Sequence, residues 1–415
     1  MTIWTWRLRK ISRALWLRAT LFSVAAVVAA LFANYLSIFV PNWLPDKIGA
    51  DSVQSILTII ASSMLTVTTF SLSIMVAAFG AATSNVTPRA TRLLMTDKTT
   101  HNVLSTFLGA FLFSLVGIIA LSAGAYDKRG RAVLFVVTII VIITIVGTLL
   151  RWIEHLSAFG RLGDTTERVE NSGTEAMRNR KKTPYLGGVV LRDTDYLSRT
   201  PKTPVLPGIY GYVQHIDIIR LGALCEECDV DIFLDCLPGS FIGPGDTLAH
   251  IAAESLDDAH MDAFRQAFTL DHARNFDQDP RFGISVLTEI ASRALSPAVN
   301  DPGTAIDVLS RHVRILSEWS ETETGPGEPI SKRVFVPDLD IADLFDDAFR
   351  PIARDGAAIV EIQQRLQKAL ASLATLGDER FRQNAKRHSD EALKRARDVL
   401  IESDMKLVES AAAGV

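Results

Sequence analysis

Residues Gln54 to Gly80 read QSILTIIASSMLTVTTFSLSIMVAAFG, 27 positions without a charged side chain. At about 1.5 Å of rise per residue, a helix of this length crosses a hydrocarbon layer of about 30 Å with some tilt. The stretch is therefore a predicted membrane-spanning helix, and its polarity is uneven. Ser55, Thr58, Ser62, Thr66, Thr69 and Ser73, continued by Ala77 and Gly80, recur at spacings of three and four and so share one helical stripe. The opposite side, formed by Ile56, Ile59, Ile60, Leu65, Val67, Leu72, Ile74, Met75 and Val76, is expected to face lipid. Two chemistries account for the stripe. Small and hydroxyl residues let helices approach closely and hydrogen-bond across the contact, each such bond worth about 0.6 kcal/mol, or satisfy themselves on the carbonyl four residues back. Alternatively the hydroxyls face water and line a path for ions or small solutes, with Thr58, Ser62, Thr66, Thr69 and Ser73 as the lining.

The sequence on either side extends this helix into a membrane domain over residues 1–152, with predicted spans at about 14–40, 54–80, 103–123 and 132–150. Pro41 and Pro45 stop the first, and Trp4, Trp6, Trp16, Tyr35 and Trp43 place aromatic rings near both interfaces. Arg7, Arg9, Lys10, Arg13 and Arg18 precede it as in a signal peptide, but the apolar run is longer than an h-region and no small-residue cleavage site follows. It is read as retained. Four spans put both termini on one side. The basic N-terminal arm, Arg89, Arg92 and Lys98 after the second span, and the basic residues beyond Leu150 make that side the cytoplasm; Lys128, Arg129 and Arg131 in the second outer turn run against the rule. No Asp, Glu, Lys, Arg or His lies well inside a span, which counts against ion-coupled transport and leaves a passive pore, a packing bundle or an anchor. Gly109, Ala110, Ser114 and Gly117 suit the third span to a tight helix contact. In NVTPRATR, Thr87 or Asn85 caps a short helix and Arg89 and Arg92 are expected to contact lipid phosphates; an anion-attracting vestibule is the alternative.

The chain of 415 residues is 48% hydrophobic with a formal net charge of −4. The apolar excess lies in the first 150 or so residues, and the charge balance points to no nucleic-acid partner. Three cysteines, Cys225, Cys228 and Cys236, suggest neither a disulfide scaffold nor, without a fourth ligand, a zinc site. Residues 153–184 read as a charged helical stalk. Residues 185–255 read as a β-rich module, with strand candidates at 209–219 and 229–237. Its paired glycine turns in Leu237-Pro-Gly-Ser-Phe-Ile-Gly-Pro-Gly-Asp-Thr-Leu-Ala-His250 resemble the hybrid barrel of biotinyl and lipoyl carrier domains, although the modifiable lysine is absent. Residues 256–320 form a helical motif region and 338–410 a helical hairpin, in which Ile359, Ile362, Leu366, Leu370, Leu373 and Leu376 make one apolar stripe.

The most distinctive residues are Gln278-Asp279-Pro280-Arg281-Phe282-Gly283 and Leu295-Ser296-Pro297 with Asn300-Asp301-Pro302. Together with the Ser/Thr-rich second span and its Ala-Ala-Phe-Gly exit, they resemble a family of predicted bacterial membrane proteins catalogued as a domain of unknown function. The resemblance covers most of the chain. It implies four N-terminal spans, a large cytoplasmic part and an inner-membrane location, and implies no established activity. Physically, Asp279-Pro280 and Asp301-Pro302 read as helix N-caps with proline in the first turn. Asp277, Asp279, Asn300 and Asp301 also offer oxygen ligands for a hard cation, while Arg274, Arg281 and Arg293 either neutralise those acids or bind an anion.

The expected architecture is thus a multi-pass α-helical membrane protein with a cytoplasmic α+β portion, a small β-barrel-like module followed by helices. Two functions are expected to compete. In one, a homo-oligomer in the lipid bilayer surrounds a passive ion or small-solute pathway with the hydroxyl stripe, regulated by the cytoplasmic part. In the other, the membrane part anchors an oligomeric scaffold or ligand sensor. An enzyme is not expected: no P-loop, GxSxG or HExxH is present, the histidines lack ligand spacing, and no cofactor is implied.

Overall fold

The uninterrupted apolar run around Thr66 folds as α1 (Ala50–Asn85), the longest helix among the described residues of a computed structural model of the chain. The structure describes residues 50–95, 97–158, 160–192, 202–320 and 328–415, with Leu17, Thr20, Leu21, Ser23, Val24, Val27 and Val28. The predicted first span, 14–40, otherwise lies outside the described residues. Pro88 starts the short α2 (Pro88–Met95), whose Ala90 amide is accepted by the Thr87 hydroxyl as expected of a cap. Asp97 caps α3 (Lys98–Ser122) by accepting the Thr100 amide, and Asp127 accepts the Gly130 amide at the start of α4 (Lys128–Ala158). Three described helices, α1, α3 and α4, are long and apolar enough to cross a membrane.

Within this unit, residues 7–165, the packed face of α1 is Val53, Leu57, Ile60, Met64, Ser71 and Met75. Val53 and Leu57 pack with Phe113 and Leu134, and Ile60 and Met64 with Phe107, Ala110 and Trp152. Gly109, Ala110, Ser114 and Gly117 are all buried on α3, and a methyl group added at Gly117 would stand 3.0 Å from the Leu57 side chain. The close contact predicted for the third span is therefore made with α1. One expectation is corrected: Ile60 and Met75, assigned to lipid, lie in the bundle. Shape decided this. Ile60 packs with Phe107 and Ala110 of α3 and Met75 with Leu94 and Leu104, whereas back-bonded hydroxyls have no need of a protein partner.

The second unit is formed mainly by residues 166–415. It begins within α5 (Leu162–Lys182), so the predicted stalk is two helices broken at Gly160, whose φ of +77° favours glycine. Strands β1 (Val189–Val190), β2 (Thr203–Val205) and β3 (Gly211–Ile216) follow, then α6 (Ile218–Glu227), β4 (Ile232–Leu234), β5 (Phe241–Ile242) and β6 (Ala249–Ile251). Next come α7 (Asp258–Arg265), β7 (Phe268–Asp271), α8 (Pro280–Ala294), α9 (Pro302–Ser320) and β8 (Val334–Val336). Four helices close the chain: α10 (Ile341–Asp355), α11 (Val360–Leu376), α12 (Glu379–Arg397) and α13 (Glu402–Ala412).

The β-rich region is two sheets, of order β1-β8-β4-β6-β2 and β5-β3-β7. β8 runs parallel to both β1 and β4, so a strand from residues 334–336 sits between strands of the expected 185–255 module. That segment does not complete its own sheet as a self-contained barrel would. The run Val334-Phe335-Val336 is buried at every position, which suits a central parallel strand. Cys225 and Cys228 fall on or just after α6, a helix the strand pattern obscured, and all three cysteines are free thiols.

The predicted stripe on α11 is borne out at Ile362, Leu366, Leu370 and Leu373, all fully buried. Each contributes about 1.5–3 kcal/mol relative to exposure. The expected hairpin is α11 against α12, enlarged to four helices by α10 and α13. Gly356 ends α10 as its C-cap, and its carbonyl accepts the Gln363 side chain.

Candidate functional site

Two places carry the residues singled out by the sequence. On α1, Thr58, Ser62, Thr66, Thr69 and Ser73 are all exposed. At 3.6 residues per turn they lie about 180° from the packed Val53-Leu57-Ile60-Met64 face. Each donates to the carbonyl four residues back: Thr58 to Gln54 at 2.9 Å, and Ser62 to Thr58, Thr66 to Ser62, Thr69 to Leu65 and Ser73 to Thr69 at 3.0 Å. The donors are thus satisfied within the helix, and the oxygen lone pairs form a ladder on its outer face. Exposed Ile59, Leu65, Phe70, Leu72 and Val76 flank the ladder. The hydroxyl that does join two helices is Ser71, which the stripe pattern passed over: its oxygen accepts the Trp152 indole N–H at 2.9 Å in a buried contact between α1 and α4. Its signal was its place in the apolar series, three and four residues from Thr68 and Met75.

Arg89 and Arg92 are exposed one turn apart on α2, which buries Ala90, Thr91 and Leu94. At the start of α3, Asp97 accepts the Thr100 hydroxyl at 2.8 Å and lies 3.0 Å from His155 Nε2 of α4, fastening the ends of these helices.

The second place is the N-terminus of α8. Asp279 caps the helix by accepting the Arg281 amide at 3.1 Å, and takes a bidentate pair from Arg274 at 2.7 and 3.0 Å. It is 2% exposed; burial raises its pKa, against the lowering effect of Arg274, Arg180 and Arg281. Gly239, at a φ of +99°, presses its backbone on this carboxylate: an added Cβ would stand 2.3 Å from Oδ2. Gln278 accepts from the Ile216 amide through Oε1 and from Arg180 through its carbonyl, both at 3.0 Å. Burial holds Arg180 down to about 10. Arg281 reaches Asp343 and Asp347 of α10, and Gly283 meets Gly173 of α5. The hexapeptide from Gln278 to Gly283 is therefore the junction of β3, α5, α8 and α10.

The four proposed cation ligands are not brought together. Asp277 and Asp279 precede α8, whereas Asn300 and Asp301 follow it, and the 15 residues of that helix span about 22 Å. Asp301 caps α9 through the Thr304 amide and hydroxyl, which lower its pKa. Asn300 is exposed at a φ of +48°, in the loop that returns Asp301 to the Ala294 carbonyl. Among the described residues no group of three or more His, Cys, Asp or Glu is placed to hold a metal ion. Arg274 is taken by Asp279, so the internal-neutralisation alternative describes it, whereas the Arg281 side chain pairs with Asp343 and Asp347 instead. Missed in the sequence was Glu170 of α5, which accepts from Arg311 and Arg314 of α9; burial pushes its pKa up, but the two guanidinium groups outweigh it and the net shift is down.

Spans of this length joined to a mixed α/β unit define a multi-span membrane protein. Residues 12–372 match the family described as "Predicted membrane protein (DUF2254)", and the chain belongs to it. It is 24% identical over 278 residues to uncharacterised proteins of Mycobacterium bovis and Mycobacterium tuberculosis, covering 62% of this chain and 50% of theirs. The chain thus spans about half the length of the curated relatives it matches. No solved structure matches it.

Proposed function

We propose that copies of this chain assemble in a bacterial inner membrane so that the hydroxyl ladders of their α1 helices surround a passive pathway for ions or small solutes. Both termini and the 166–415 unit lie in the cytoplasm in this reading, the unit regulates the pathway, and no catalytic step is assigned. The observation that carries it is the position of Thr58, Ser62, Thr66, Thr69 and Ser73 on the outer face of α1, opposite the face packed on α3. Donors spent on the helix's own carbonyls leave oxygen acceptors facing outward, the polarity that suits a hydrated cation. A single α1 cannot enclose a path, so the reading requires an oligomer.

The experiment is flux of K⁺ or Na⁺ into proteoliposomes, with subunit number measured in nanodiscs. Thr66→Leu with Thr69→Leu abolishes flux if the ladder lines the path; wild-type flux that is absent, or unchanged by both substitutions, refutes it. The second reading is a membrane-anchored oligomeric scaffold or ligand sensor, favoured by the same back-bonding. A hydroxyl satisfied four residues back meets lipid at little cost and needs no water. An oligomer without flux selects this reading.

A further inference from the structure

A groove of about 330 Å³ lies between α3 and α4, with Thr99, Asn102 and Thr106 on one wall and Thr144, Thr148 and Arg151 on the other. We propose that it binds a phospholipid, with the phosphate on Arg151, Thr99 and Thr148 and the acyl region along Gly147 and Ile143. From Arg151 to Ile143 the groove runs about 12 Å along α4. The Thr106 and Thr144 hydroxyls donate to the carbonyls of Asn102 and Ile140. The side chains of Thr99, Thr148 and the exposed Arg151 make no hydrogen bond or ion pair among the described residues, so an unspent cation and two unspent hydroxyls converge on one end.

The other end has the opposite chemistry. Ile143 and Val146 are exposed beside it, and Gly147 opens it, since an added Cβ there would meet nothing within 4 Å. An occupant must present negative charge at the helix end and hydrocarbon two turns deeper. A lipid phosphate meets both demands, and a guanidinium forms bidentate, charge-assisted bonds to phosphate. These residues are distinct from the exposed Arg89 and Arg92 of α2, and the site does not depend on oligomer number or on conduction.

The test uses the full-length protein, delipidated in a mild detergent and titrated with phosphatidylglycerol, reading bound lipid by native mass spectrometry and the shift in Tm. Arg151→Gln is expected to weaken binding about tenfold, the loss of one charge-assisted contact. Gly147→Leu, which fills the groove, is expected to abolish the shift, and Arg151→Lys to restore much of it. Unliganded Tm should stay unchanged in the two Arg151 variants, because that position is exposed, and should not fall in Gly147→Leu, where replacing a helix-interior glycine favours the helix. Wild-type affinity in both Arg151→Gln and Gly147→Leu overturns the site. An equal shift from inorganic phosphate alone overturns its assignment to a lipid.

Discussion

Gly283→Ala tests whether the Gln278–Gly283 hexapeptide is a packing junction. A methyl group on Gly283 would stand 2.5 Å from the Gly173 Cα and 3.2 Å from the Gly173 nitrogen, where carbon contacts normally settle at about 3.5–4.0 Å. No rotamer relieves a clash with backbone, so α5 must move off α8 by about 1 Å, at the top of the usual overpacking cost of about 3 kcal/mol. Alanine's better helix propensity returns about 1 kcal/mol, leaving about 2 kcal/mol and a Tm lowered by about 4–8 °C for a unit of this size. Along α5 the movement also disturbs the pairs Glu170 with Arg311 and Arg314, Arg178 with Glu318, and Arg180 with the Gln278 carbonyl. The assay is a thermal melt of the full-length protein with limited trypsin digestion at Arg178, Arg180, Lys181 and Lys182. Gly173→Ala, whose Cβ would stand 3.2 Å from the Gly283 Cα, should be milder, and Gly245→Ala, with nothing within 4 Å, nearly silent. Equal melting and equal trypsin sensitivity for Gly283→Ala and Gly245→Ala would refute the junction.

Two further outcomes follow from buried titratable groups. Thr288 spends its hydroxyl proton on the Asp347 carbonyl at 2.7 Å, so His312 Nε2, 3.0 Å away, must be the donor in their contact, leaving a buried Nδ1 without a partner among the described residues. Burial lowers the His312 pKa to about 3 and that of His388 to about 4. The unfolded chain then binds more protons below about pH 6.5, so stability is full above that pH and falls by about 1.4 kcal/mol per unit per histidine as pH drops toward 4. A melt series from pH 7 to 5 should show this fall, and His312→Gln should roughly halve its slope, leaving the His388 contribution; an unchanged slope would remove His312 as a source. Buried Cys225 and Cys236 have thiols pushed up to about 12 by desolvation. Maleimide should therefore label Cys228 alone in the native protein and all three cysteines after denaturation; native labelling of three would contradict the packing of α6.

Much of the membrane unit was legible in the chain because hydrophobic length and helical period are local properties. Uncharged runs around Thr66, Phe113 and Val141 fixed three long helices, and Asp279 before Pro280 and Asp301 before Pro302 fixed two caps. Periodicity also placed Thr58, Ser62, Thr66, Thr69 and Ser73 on one stripe. Which way that stripe points depended on α3, because burial is set by the shape of a partner helix: Leu57 fits over Gly117, and Ser71 is claimed by Trp152. The same limit applies in the second unit. Local pattern identified Ile362 and Leu366 as core, but nothing local announced that Val334 to Val336 joins a sheet begun some 140 residues earlier. Nor could local pattern pair Glu170 with Arg311 and Arg314. Sequence determined the elements through their own periodicity and capping; tertiary structure decided the partners, because contacts between distant segments depend on geometry that no single segment contains.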